Sequence, residues 1–148
     1  MRIGDILDLY VGPDSQEVLD TKVRKVQYLL RQRGYNVVPD GVFGLRTEGR
    51  VREFQDYEGL RVDGIVGPKT WRALLQEVSP GDRGDAVRAV QISFASLKRD
   101  GVFGPRTLAR LRRFQIDTGL KPDGVVGPRT WAALLASPTQ DLDEVLAN

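Results

Sequence analysis

The chain has 148 residues, with 22 Lys and Arg against 20 Asp and Glu, 41% hydrophobic residues, and neither His nor Cys. The missing His and Cys exclude disulfides, thiol nucleophiles, His-dependent triads and the usual zinc sites, leaving only carboxylate chemistry or an unusual Ser–Lys pair. The length allows one domain or two small ones, the apolar content supports packed cores, and no stretch approaches the roughly 20 apolar residues of a membrane span.

Residues 1–13 read as an apolar-acidic extension ending in Gly12-Pro13. They lack the basic flank and clean apolar run of a signal peptide. That leaves a cytoplasmic product, a product released by a phage-type route, or a piece of a longer chain. A first helix is predicted from Asp14, with Glu17 three residues on in a capping-box pattern. Leu19, Val23, Val26 and Leu30 follow on one helical face, and Gly34 is placed as the C-terminal cap. A second helix is predicted over residues 45–58, with Val51 and Phe54 inward and Gly59 as its stop. The short stretch "PKTWRALL" reads as a third helix with Trp71, Leu74 and Leu75 on one face. "SPGDRGD" (Ser79–Asp85) is a linker, and Asp85 is placed as the cap of the next helix.

Beyond the linker the pattern recurs. Val87, Val90 and Phe94 form a first apolar face, Leu108, Leu111 and Phe114 a second, and Trp131, Leu134 and Leu135 a third. "SPTQ" then leads to "DLDEVLAN", which reads either as a short helix or as the start of a linker. Residues 40–75 and 100–135 share 23 identities in 36 positions at an offset of 60. Chance does not give this, so the chain is an internal duplication. Upstream, Val23-Arg24-Lys25-Val26-Gln27 matches Val87-Arg88-Ala89-Val90-Gln91 at an offset of 64. The second copy is therefore four residues shorter before its first Asp-Gly, and its first helix is predicted to be truncated.

Inside each copy a phrase repeats, giving "DGVFGLRT", "DGIVGPKT", "DGVFGPRT" and "DGVVGPRT". Asp-Gly is a turn pair, because Gly accepts positive φ and Asp can bond nearby amides. The second Gly lets the chain turn again, and Pro suits a first helical position, where its missing N–H is no loss. The apolar pattern that follows is helical, which rejects a hairpin. The fold class is therefore all-α: two tandem three-helix modules with Asp-Gly-rich loops, at residues 14–78 and 79–138, between an extension at 1–13 and an acidic tail at 139–148.

Charge is unevenly placed. Residues 1–19 carry net −3, residues 20–78 net +3, residues 79–138 net +5 and residues 139–148 net −3. A basic body suits anionic partners such as nucleic acid, membrane surfaces or wall polymers. The plainer reading is a solvated helix face.

The order Val-x-x-Val-Gln, Asp-Gly-x-Phe-Gly-x-x-Thr, Phe-Gln, Gly-Leu and Asp-Gly-x-Val-Gly-Pro-x-Thr-Trp-x-x-Leu-Leu resembles the type 1 peptidoglycan-binding domain. Two tandem copies cover about Leu19 to Leu135. The resemblance implies compact three-helix modules that bind peptidoglycan, through its stem peptide or glycan, without catalysis and without a cofactor. Such modules stand beside cell-wall hydrolases, endolysins among them, so a hydrolase catalytic domain is an implied partner. The site of action is then the cell wall, extracellular or periplasmic, with no membrane and no nucleic acid involved. Copy 1 keeps "RGY" (Arg33–Tyr35) at the family's Leu-Gly-Tyr position, and copy 2 lacks it. The module is also similar to the propeptide part of matrix metalloproteinases. That keeps open a protein-interaction or regulatory module whose acidic ends dock a partner.

The candidate ligand contacts are Arg46, Thr47, Arg50, Tyr57, Lys69, Arg106, Thr107, Arg110 and Arg129. Arg46, Lys69, Arg106 and Arg129 recur at helix starts beside the loops, are too charged for a core, and Arg can hold a carboxylate by two parallel hydrogen bonds. Thr47, Thr70, Thr107 and Thr130 are read as satisfying helix-start amides, and Tyr35 and Tyr57 as exposed platforms. The loop residues Asp40, Gly41, Gly44, Asp63, Gly64, Gly67, Asp100, Gly101, Gly104, Asp123, Gly124 and Gly127 are read as structural. One acid per phrase is too few for a calcium loop, so no metal is expected. Trp71 and Trp131 are read as core, and nothing selects a carboxylate pair for glycoside hydrolysis. Three helices on a basic body invite a helix-turn-helix reading, but the third helix is too short and too apolar to read a groove.

Overall fold

The computed structural model describes residues 9–15 and 21–146. Seven helices follow in order among them: α1 Lys22–Gln32, α2 Leu45–Tyr57, α3 Pro68–Leu74, α4 Asp85–Gln91, α5 Pro105–Asp117, α6 Pro128–Ala136 and α7 Leu142–Leu146. None is long and apolar enough to cross a membrane. Extended backbone meets only in isolated bridges.

The phrases start the helices. The second Gly of each one is an N-cap, with φ between −91° and −101°. That backbone is open to any residue, so these glycines are not there to supply an unusual turn. Pro68, Pro105 and Pro128 stand in the first helical turn, as their missing N–H predicts. Gly34, Gly59 and Gly119 stop α1, α2 and α5 at positive φ. At Gly34 the amide donates to Arg31 and the next amide, Tyr35, donates to Leu30. Paired bonds of this kind close a helix at a glycine.

Two expected caps are absent. α1 begins at Lys22 behind Thr21, while Asp14 lies in a turn where Ser15 N–H reaches Gly12 at 2.9 Å. Glu17 and Leu19 lie outside the described residues. Gly84, at φ 122°, stands before α4, and Asp85 is the first helical residue. An opposing arginine from α1 draws the Asp85 carboxylate away from capping.

Buried side chains of both copies form one cluster, which includes Trp71, Trp131, Leu29, Leu30, Phe54 and Phe114. α1 packs on α4. Arg31 donates two bonds of 2.9 Å to Asp85, and Gln32 accepts from the Ala86 amide at 3.0 Å. The Lys25 ammonium, buried at the seam, lies 3.5 Å from the Leu134 carbonyl. Trp131 donates its indole N–H to the Gln76 carbonyl at 2.7 Å. Each copy is also preceded by an extended residue paired to its second phrase: Val11 with Val66, and Val78 with Val126. Leu75 is only half-buried, because α3 stops before it, whereas the longer α6 carries Leu135 into the core.

The four-residue deletion is repaired locally. α4 spans 7 residues against 11 in α1. In copy 1 Tyr35 packs edge-on against Phe54, with ring centres 6.1 Å apart, so it is not an exposed platform. In copy 2 Phe94 does the same to Phe114 at 5.6 Å. The space that remains is closed by the segment after α6, where Gln140 exchanges backbone bonds with Ser93 and Ala95. Within "DLDEVLAN", Leu142–Leu146 form the helix α7.

Candidate ligand-binding grooves

Each phrase is braced by one buried glutamine: Gln27, Gln55, Gln91 and Gln115. The geometry repeats four times. The Nε2 of Gln55 donates to Asp63 at 3.0 Å, to the Ile65 carbonyl at 2.9 Å and to the Thr70 hydroxyl at 3.1 Å. Its Oε1 accepts from Gly64 N–H at 3.0 Å. Gln27 serves Asp40, Val42, Thr47 and Gly41 in the same way. Gln91 serves Asp100, Val102, Thr107 and Gly101, and Gln115 serves Asp123, Val125, Thr130 and Gly124. Each Asp also accepts from the amide two residues on. A buried polar group needs such partners, and a fully satisfied network fixes the loop.

This arrangement corrects one expectation. The threonines are not the helix caps: glycines stand at the N-cap positions of α2, α3, α5 and α6, and among the described residues no helix-start amide donates to a threonine hydroxyl. Their hydroxyls receive the glutamine instead. The carboxylates respond to their donors. The Val42 and Val102 amides, with Gln27 and Gln91, hold Asp40 and Asp100 below the usual carboxylate range. Burial works to raise Asp63, but the Ile65 amide and Gln55 outweigh it and its pKa is lowered. Among the described residues no group of three acids gathers to hold a metal ion.

Above three of the phrases lies an open groove. The one at the second phrase has a volume of about 410 Å³ and is walled by Arg61, Asp63, Pro68, Lys69 and Arg72. At the third, about 460 Å³ is bounded by Lys98, Asp100, Pro105 and Arg106. At the fourth, about 430 Å³ is bounded by Lys121, Asp123, Pro128 and Arg129. Each floor carries the braced Thr, and each rim carries a cation on both sides. Lys69, Arg106 and Arg129 are exposed and make no hydrogen bond or ion pair with another described residue.

The other expected contacts fall elsewhere. Arg46 is exposed at the start of α2. Thr47 and Thr107 are buried under Gln27 and Gln91. Arg50 donates to the Asn36 carbonyl and to Glu53. Tyr57 is 82% exposed at the end of α2. Arg110 is held by Asp141 at 2.9 and 2.8 Å and lies over the Phe94 ring. Sequence reasoning missed the four glutamines as braces and Arg61, Lys98 and Lys121 as rim cations. A signal existed for both. A Gln recurs before every phrase, and a basic residue precedes three of the four Asp residues by two positions.

The chain matches the family described as "Putative peptidoglycan binding domain" over residues 20–74 and 83–134. A protein of Kitasatospora aureofaciens, named "Uncharacterized protein in bpoA1 3'region", is 51% identical over 42 residues, 28% of this chain and 36% of that one. The crystal structure of a peptidoglycan-binding protein from Clostridioides difficile, in complex with glutamine hydroxamate, is similar over 45% of this chain and 40% of its own. Its identity is 36% and its TM-score 0.42. The shared stretch thus spans well under half the length of either relative. The family match takes in both copies and most of the chain, with the glutamines, the phrases and nearly all of the third helices inside it, and the chain belongs to the peptidoglycan binding domain family.

Proposed function

We propose that the protein binds bacterial cell-wall peptidoglycan through its loop grooves and performs no chemistry on it. The observation that carries this is the pairing of braced loops with unengaged cations. The loop acids are tied up by amides and glutamines, which leaves the rims net basic. Stem peptides end in carboxylates, and an Arg or Lys at a groove rim is suited to hold one. Lys69, Arg106 and Arg129 are the groove contacts we propose, with Thr107 in the floor of one groove; Arg46 and Tyr57, exposed outside these grooves, are proposed as further contacts, and Thr47 braces the first phrase. Several weak grooves on one chain gain from effective concentration on a repeating polymer. The role that follows is targeting: holding a wall hydrolase, fused or associated, on its substrate in the cell wall. The rival reading, in which the acidic tail docks a protein partner, is disfavoured because Asp141 already serves Arg110.

The test is co-sedimentation of the full chain with insoluble sacculi, before and after teichoic acids are stripped. Retention on stripped sacculi is expected. Retention only before stripping would mean that wall charge is read and the glycopeptide is not. No retention on either, by folded protein, would overturn the proposal.

A further inference from the structure

Arg72 lines two depressions at once. One is the groove at the second phrase of copy 1. The other is an apolar pocket of about 270 Å³ between the copies, walled by Leu75, Pro128 and Trp131. That pocket shares Glu77, Gly127 and Pro128 with the groove at the second phrase of copy 2. Neighbouring depressions therefore share walls, Arg72 on one side of the apolar pocket and Glu77, Gly127 and Pro128 on the other. Their alignment is fixed by the seam, where Trp131 bonds the Gln76 carbonyl and Val78 and Val126 exchange backbone bonds at 3.2 and 2.8 Å.

The two end grooves are counterparts. Arg61 and Lys69 stand at one as Lys121 and Arg129 stand at the other. The path thus reads basic, apolar, basic. Its loop acids, Asp63 and Asp123, accept from Gln55 and Gln115, and Glu77 stands at the middle.

We propose that these depressions act as one groove that takes a single extended anionic strand, a peptidoglycan chain carrying stem-peptide carboxylates. The carboxylates meet the basic ends, and an uncharged stretch lies on the apolar saddle. This rests on the peptidoglycan reading above and adds to it that one ligand crosses from copy to copy. A short fragment fills one end only. A strand that reaches both ends binds the second end as an intramolecular event, which raises affinity by about tenfold or more.

The experiment titrates the full chain with two probes from teichoic-acid-stripped walls: the disaccharide-peptide monomer, and longer glycan strands bearing stem peptides. The readout is the ratio of their affinities. Wild type is expected to favour the long strand by about tenfold or more, with one strand per chain. Gly127 has φ −95° and open space where a side chain would go. Gly127→Phe is therefore expected to fold, to obstruct the saddle and to bring the ratio near one. Arg72→Glu, at an exposed site, tests the same passage should Gly127→Phe not fold. Equal affinity for both probes in wild type, or a ratio unchanged in the variant, would overturn the continuous groove and leave peptidoglycan binding standing. No binding of either probe, with no retention on stripped sacculi, would overturn the peptidoglycan reading as well. A length effect seen with purified teichoic acid and not with glycan strands would overturn the proposed occupant.

Discussion

Arg110 donates two parallel hydrogen bonds to Asp141, and the pair closes the gap left by the shorter first helix of copy 2. In copy 1 the equivalent residue, Arg50, donates to the Asn36 carbonyl in a segment that copy 2 lacks. One arginine position thus anchors two unrelated pieces of chain, and the second piece is recruited from beyond the repeat.

Asp141→Asn isolates the charge in that anchor. Asp141 sits at φ 65°, a backbone conformation that Asn also tolerates. Both partners are largely shielded, at 14% and 9% exposure, so the loss is expected to be about 1.5–3 kcal/mol. The pH dependence has a definite sign. Arg110, with help from Ser96, holds Asp141 below its usual range against burial. The stabilisation is complete above the ordinary Asp value, about 4, and is lost as pH falls through the lowered one. Thermal unfolding from pH 7 to pH 3 should show a steeper acid decline in wild type than in the variant. Parallel curves would sink the idea.

The glutamine braces make a sharper prediction. Gln55→Leu keeps bulk but orphans the Gly64 amide and the Thr70 hydroxyl, at about 1–3 kcal/mol for each unsatisfied group. Gln55→Glu replaces a donor with an acceptor facing Asp63. Like charges raise the new carboxyl's pKa in the folded state, so stability should be highest at low pH and fall as pH rises through that value. Urea unfolding at pH 5 and pH 7 reads this directly. A Gln55→Glu protein equally stable at both would contradict the network.

Why the braces escaped a sequence reading is physical. Gln is mostly a surface residue, and its pull on a loop 8 to 13 residues away leaves no helix or strand periodicity, only the recurrence of a Gln before each phrase. The helices were legible because apolar spacing and glycine stops are local. Gly34, Gly59, Pro68, Pro105 and Pro128 act in the structure much as their chemistry predicts. Asp85 failed as a cap because its partner, Arg31, sits 54 residues away on the other copy. Rim cations at helix starts could be named from the repeat, but not the shared core or the place of Arg72 between two depressions, which depend on how the copies pack.

Two glycines of one phrase should behave oppositely. Gly101 has φ 75°, and a Cβ there would stand 2.9 Å from the Arg88 guanidinium carbon and 3.1 Å from the Gly84 carbonyl. Gly101→Ala should cost about 1–2 kcal/mol for the backbone alone. Gly104 has φ −101° and open space around it, so Gly104→Ala should change stability by no more than about 0.5 kcal/mol. Melting temperatures of the two variants decide it, and equal losses would mean that the phrase does not use its glycines as described.

Reversing the rim charges separates binding from folding. Lys69, Arg106 and Arg129 are exposed and make no bond that the fold depends on. Lys69→Glu, Arg106→Glu and Arg129→Glu should each leave stability within about 0.5 kcal/mol of wild type. Retention on stripped sacculi should fall with each change and fall further when they are combined, because every groove adds to the residence of the others on a polymer. Salt distinguishes two causes of such a fall. If the cations act only as a diffuse field, raising ionic strength should abolish wild-type retention and erase the difference among variants. If they hold individual carboxylates in the grooves, Arg106→Lys should also weaken binding, since an ammonium cannot reproduce the two parallel bonds of a guanidinium. Full retention by the triple variant at moderate salt would remove the rim cations from the binding surface altogether.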